Sequence, residues 1–187
     1  MIKIEHFYSP NFDVIKRKKE NIKFLVFHYT GMKTEKSALK RLTNRSHKVS
    51  SHYFIKKNGS IINLVPDLYV SWHAGFSFWK KLKKLNKYSI GIEIHNPGHQ
   101  HGYRSFSKNQ INSIKYLSLK LAKKYNINRN HYLGHSDIAP DRKKDPGEKF
   151  PWEFLSKYRI GIWHSLNKKI LKKNRLKNIN YLENEIF

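Results

Sequence analysis

The chain has 187 residues, of which 39% are hydrophobic and 14% aromatic, enough to bury the core of one compact domain and too apolar for a disordered tail. It contains no cysteine, which excludes disulfides and thiolate metal sites and leaves His, Asp and Glu as the available metal ligands. Thirty-eight Lys and Arg against 13 Asp and Glu give a formal charge of +25, which fits an anionic partner or simply a composition rich in Lys, Asn and Ile.

No RNP1 sequence, Cys/His finger or heptad-bearing basic region accompanies the charge, so no specific nucleic-acid partner is expected. Met1 to Ser9 lack an apolar run of signal-peptide length, and no segment approaches the ~20 apolar residues that cross a bilayer. The expectation is a cytoplasmic protein without a membrane span, with export as the alternative.

In chain order, the apolar run 22–27 reads as a buried strand ending at His28 and broken by Thr30-Gly31. Residues 34–42 read as a helix capped by Thr34, with Ala38 and Leu42 one turn apart. The runs 52–55 and 61–65 form a hairpin about Asn58-Gly59, which suits a tight two-residue turn. Residues 71–79 are aromatic and interrupted by Gly75, as in a loop lining a cleft; residues 80–87 form a solvated basic stretch. Residues 89–94 alternate, with Ile90, Ile92 and Ile94 on one face and Ser89, Gly91 and Glu93 on the other.

Residues 107–125 are the best helix, capped by Ser107, with Ile111, Ile114, Leu117, Leu121 and Tyr125 recurring at three and four. A short last strand spans 131–135, a polar loop follows over 136–152, and a basic tail over 164–187 is helical or disordered. Together these elements predict one α/β domain over 1–163, a central mixed sheet flanked by helices.

A catalytic zinc takes three protein ligands and keeps one position open. His28 and His135 stand at predicted strand ends, and Asp145 precedes Pro146-Gly147, a turn that could fix its carboxylate. Spacing alone leaves rivals open: His131 with His135, and the group His95, His99 and His101.

The blocks Phe27-His28-Tyr29-Thr30-Gly31, Ser51-His52-Tyr53, Trp72-His73-Ala74-Gly75, Ser89-Ile90-Gly91-Ile92-Glu93, and Gly134 to Pro140 with Arg142 to Gly147 occur in that order. Together they closely resemble the zinc-dependent N-acetylmuramoyl-L-alanine amidases of the amidase-2 group, best of all the bacterial type acting on anhydromuropeptides. That fold is shared with T7-type lysozyme and the peptidoglycan recognition proteins.

The resemblance implies that His28, His135 and Asp145 bind one Zn2+, and that Glu93 and Lys143 are catalytic. Glu93 lies opposite three isoleucines and beside Gly91, whose missing side chain leaves space for a ligand, and a carboxylate near such a metal is the expected proton acceptor. Lys143, two residues before Asp145, points the same way if the segment is extended. Trp72 and His73 match a cleft-lining loop, Asn96 is placed to hydrogen-bond substrate, and Lys84 stands where close relatives carry arginine, offering a point charge rather than a bidentate fork. The implied partner is a muropeptide or peptidoglycan, met by a monomer. The alternative is a non-catalytic recognition module of the same fold.

Overall fold

In a computed structural model, the described residues are 2–167 and 169–173. The central sheet has six strands: β1 (Ile4–His6), β3 (Phe24–Tyr29), β4 (Tyr53–Ile55), β5 (Ile61–Asn63), β9 (Ser89–Ile94) and β10 (Tyr132–Gly134), in the order β1-β5-β4-β9-β3-β10. Every neighbouring pair is parallel except the hairpin β4–β5, so the sheet is mixed, as expected. Two-residue strands make two small ribbons beside it: β2 (Phe12–Asp13) with β6 (Val70–Ser71), and β7 (Phe78–Trp79) with β8 (Leu82–Lys83).

Strand β3 is apolar almost throughout because the sheet is covered on both faces. On one face Leu25, Phe27, Ile55, Ile90, Ile92 and Ile94 pack against Ile114, Leu117, Leu121 and Tyr125 of α2 (Lys108–Tyr125). Each such side chain, when fully buried, contributes roughly 1.5–3 kcal/mol. The helix starts where Ser107 Oγ accepts from the Gln110 amide and Gln110 accepts from the Ser107 amide; it stops at Asn126, whose φ is 54°.

The opposite face carries α1 (Glu35–Thr43), capped by Thr34 as expected, with Ala38 and Leu42 set on Phe54, Ile62 and Leu64. It also carries the single turn α3 (His135–Ile138), and α4 (Trp152–Ser156) follows later in the chain.

Three local expectations change. Lys56 and Ser60 close the hairpin (amide to carbonyl, 2.9 Å), so Asn58-Gly59 lies in a three-residue loop with Gly59 at φ 90°, the turn-plus-bulge form, rather than a two-residue turn. The stretch 71–87 is not one loop followed by solvated chain: it contains the β7–β8 ribbon and a 3-10 turn, Leu85–Tyr88, that buries Leu85 completely. The loop 136–152 begins with α3, so His135 opens a helical turn instead of ending a strand.

Of the tail, residues 169–173 are helical, and the rest of the expectation for 164–187 lies partly outside the described residues. No helix among the described residues is long and apolar enough to cross a membrane.

Candidate metal centre and catalytic cleft

Parallel register sets the site. His28 of β3 pairs with Glu93 of β9, and Glu93 with Phe54 of β4, so His28 and Glu93 lie in one row across the sheet, on the face away from α2. On the other flank Gly134 pairs with Phe27, so the chain leaving β10 delivers His135 next to His28. The loop then returns Asp145, tied by its carbonyl to the Ser136 amide at 2.8 Å. A methyl on Gly134 would collide with Pro146, so this return needs glycine there.

His28, His135 and Asp145 are all buried, and their donor atoms form a small triangle. His28 Nδ1 lies 2.9 Å from His135 Nδ1, and each is 3.0 Å from Asp145 Oδ2. Among the described residues this is the group of three that could hold a metal ion. The rival histidines fall elsewhere. The His131 ring packs on Phe24, His99 pairs with Glu148 and Tyr29, His95 faces Thr30, and His101 is exposed.

The outer ring nitrogens show what the triangle wants. His135 Nε2 is 3.1 Å from the Ala74 carbonyl, which can only accept, so Nε2 carries a proton, and the tautomer with that single proton turns a lone pair inward at Nδ1. Burial, and then the neighbouring His135, pull the His28 pKa down to about 4, which favours the neutral form of that ring. The Asp145 carboxyl is held well below the usual range: burial opposes ionisation, but its close contacts with His135 and His28 outweigh it. His28 Nδ1, His135 Nδ1 and Asp145 Oδ2 thus converge within about 3 Å of one another, where a shared proton or a metal ion can bind. One proton can be shared by two of them at most, whereas a metal ion satisfies all three. A tetrahedral ion with bonds of ~2.0–2.1 Å spaces its ligands by roughly 3.3 Å. The triangle fits after opening by a few tenths of an ångström.

His135 and Asp145 line a cleft of about 430 Å³ together with Tyr29, Gly31, Arg41, Trp72, Glu93, Lys143 and Lys144, while His28 is buried next to them. Glu93 Oε2 is sealed from solvent and has no hydrogen-bond partner among the described residues. Burial, then the charge of Asp145, push its carboxyl well above the ordinary range; Lys143 and Arg41 pull the other way. Lys143 is half-buried and lines the same cleft, with its amide held by the Ala139 carbonyl.

The remaining sequence-predicted residues divide. Trp72 lines the cleft and is anchored by its indole N–H to Asp13 at 2.7 Å. His73 touches the cleft, but both its ring nitrogens are engaged inside the protein. Asn96 is 2% exposed and spends its amide on the Arg104 carbonyl and the Gly98 amide, so it shapes the loop rather than facing the cleft. Lys84 lies outside the cleft lining, in a left-handed turn before Leu85–Tyr88.

The space beside Gly91 is also not free for a ligand: the His73 ring fills it, and a methyl there would collide with the imidazole. Two further residues belong to the site: Arg41, which lines the cleft from α1, and Arg142, whose guanidinium donates to the Ala74 carbonyl at 2.6 Å and to that of Phe76. Arg142 stands in the motif Arg142 to Gly147, whereas nothing in the helix pattern of α1 marks Arg41.

A mixed sheet with a buried His-His-Asp cluster that could hold a metal, beside a cleft lined by a lysine and by a carboxylate with one unpartnered buried oxygen, defines the class. Residues 18–148 match the family described as N-acetylmuramoyl-L-alanine amidase (Amidase_2), and the chain belongs to that family. It is 40% identical over 154 residues to the N-acetylmuramoyl-L-alanine amidase AmiD of Escherichia coli, covering 76% of this chain and 55% of that one. It is 32% identical over 163 residues to the 1,6-anhydro-N-acetylmuramyl-L-alanine amidase AmpD of Haemophilus influenzae, covering 78% and 86%. The solved complex of E. coli AmiD with anhydro-N-acetylmuramic acid-L-Ala-D-gamma-Glu-L-Lys superposes with a TM-score of 0.71 at 37% identity, over 76% of this chain and 59% of that one. The chain thus spans little more than half the length of AmiD.

Proposed function

We propose that the chain hydrolyses the amide bond between the lactyl group of N-acetylmuramic acid, in its 1,6-anhydro form, and L-alanine of the stem peptide, with one Zn2+ held by His28 Nδ1, His135 Nδ1 and Asp145. The observation that carries the reading is the triangle of inward-facing donor atoms at 2.9–3.0 Å beside an unpartnered carboxylate. The family supports the bond assigned, and the relatives' names and bound substrate support the anhydro form.

Bound there, zinc supplies Lewis acidity, polarising a carbonyl and lowering the pKa of water towards ~7. Glu93 takes a proton from the attacking water, whose oxygen adds to the lactyl carbonyl carbon. It then delivers that proton to the L-alanine nitrogen as the C–N bond breaks. The Lys143 ammonium stabilises the negative charge that develops on the carbonyl oxygen. A partly enclosed cleft suits Glu93 to this work, since few waters compete for its carboxylate. Trp72 gives the sugar or peptide a flat apolar wall, and Arg41 and Lys144 offer positive charge to muropeptide carboxylates.

The test gives purified protein anhydromuropeptide and intact sacculi in parallel, after chelation and after zinc is restored. Peptide release that falls on chelation and returns with zinc, faster from the soluble fragment, is the expected result. Equal release after complete zinc removal would refute the metal role, and sacculi cleaved as fast as fragments would refute the substrate assigned.

A further inference from the structure

We infer that His73 is a positioning residue for the metal centre: it locks His28 in the tautomer whose Nδ1 faces the ligand triangle as a lone pair. The inference rests on the zinc reading above and assigns His73 a task other than touching substrate.

The chain of hydrogen bonds runs away from the site and ends on backbone. Ser89 Oγ lies 2.6 Å from the Leu85 carbonyl, an acceptor only, so the serine proton is spent there. The same oxygen faces His73 Nε2 at 3.1 Å and must accept, which puts the His73 proton on Nε2. In a neutral ring Nδ1 is then a lone pair, and it lies 3.0 Å from His28 Nε2. His28 must donate across that contact, and its own Nδ1 is left bare, 2.9 Å from His135 Nδ1 and 3.0 Å from Asp145. The opposite tautomer would aim an N–H into the triangle and remove one of the three donors. Outer hydrogen bonds of this kind orient and tune ligand imidazoles in metal sites.

The residue next along the chain does the same for the other ring, since the Ala74 carbonyl holds His135 Nε2. Two consecutive residues thus set both imidazoles. They are clamped in turn: Asn86 Oδ1 accepts from the His73 amide at 3.2 Å and from the Ala74 amide at 2.7 Å. Gly91, by lacking a side chain, gives the His73 ring its seat against β9. His73 itself is 8% exposed, with no ring nitrogen left for a ligand in the cleft.

The experiment measures Zn2+ affinity by chelator competition for wild type, His73→Phe and His73→Asn. It also reads the imidazole tautomers of the zinc-free proteins from long-range proton–nitrogen spectra. Phe keeps the ring volume but offers no acceptor; Asn keeps an oxygen near the Nδ1 position. The expected result is His28 protonated on Nε2 in zinc-free wild type, zinc binding weakened about 10–100-fold in His73→Phe, and much of the loss restored in His73→Asn. His28 protonated on Nδ1 in wild type, or His73→Phe binding zinc as tightly as wild type, would overturn the inference. Wild type that takes up no zinc would instead refute the metal reading, while the zinc-free His28 tautomer still decides this one.

Discussion

Replacing Glu93 by Gln separates the two properties that the structure gives this residue. The substitution keeps shape and removes the charge and the proton-accepting oxygen. Loss of a positioned general base costs about 10²–10⁴-fold in turnover, so kcat should fall by that factor while one zinc per chain is retained. Stability should move in the opposite sense. Glu93 Oε2 is buried without a partner, and the carboxyl titrates well above its ordinary value of 4.5. A group whose folded pKa is raised favours its protonated form in the folded state, so the protein loses stability as pH rises through 4.5 towards the folded value. Gln carries no such penalty. Zinc-free Glu93→Gln should therefore match wild type near pH 4 and exceed it at pH 7, by about 1.4 kcal/mol for each pH unit that separates 4.5 from the folded value. Urea unfolding of the two zinc-free proteins at both pH values measures this, alongside peptide release by the zinc-loaded forms. Turnover within a few-fold of wild type, or unchanged stability at pH 7, would refute the reasoning.

Lys143→Met should lower kcat by about 10²–10³-fold with KM little altered, as for loss of an oxyanion donor; a KM effect alone would make it a substrate anchor. Gly91→Ala puts a methyl against the His73 imidazole, and should cost about 1–3 kcal/mol in urea unfolding together with zinc affinity. Asp67 is buried; burial alone would raise its pKa, but hydrogen bonds from Lys124, Tyr53 and Tyr125 bring it below the ordinary value. Its contribution is present above pH ~4 and fades as pH falls through the depressed value. Asp67→Asn should therefore lose about 1.5–3 kcal/mol at neutral pH and flatten the acid limb of the stability profile.

The parts legible in the sequence are those whose periodicity is long enough to speak. Strand β9 shows three isoleucines at every second position, and α2 repeats its apolar residues through 18 positions between a capping serine and Asn126. The two-residue strands β7 and β8 have no period to read, and their exposed Phe78 and Lys83 resemble loop residues. His135 reads as the end of a strand because the apolar run stops there, although the chain immediately turns into α3.

In the site, the ordered blocks contain His28, His135 and Asp145, which lie together in the triangle, and Glu93 and Lys143, which line the adjoining cleft. What no local pattern carries is the contact of His73 with Gly91, created when two segments 18 residues apart meet across the sheet face. Without that contact Gly91 looks like room for a ligand and His73 like a cleft residue. Asn96 misleads for a related reason: a polar side chain just after strand β9 serves the loop backbone equally well.

The central claim is that His28, His135 and Asp145 hold one zinc ion. Crystals grown with zinc and measured on either side of its absorption edge test it directly. One anomalous peak about 2.0–2.2 Å from His28 Nδ1, His135 Nδ1 and an Asp145 oxygen is predicted. No peak within the triangle, or a zinc bound instead at His95, His99 or His101, would contradict the account.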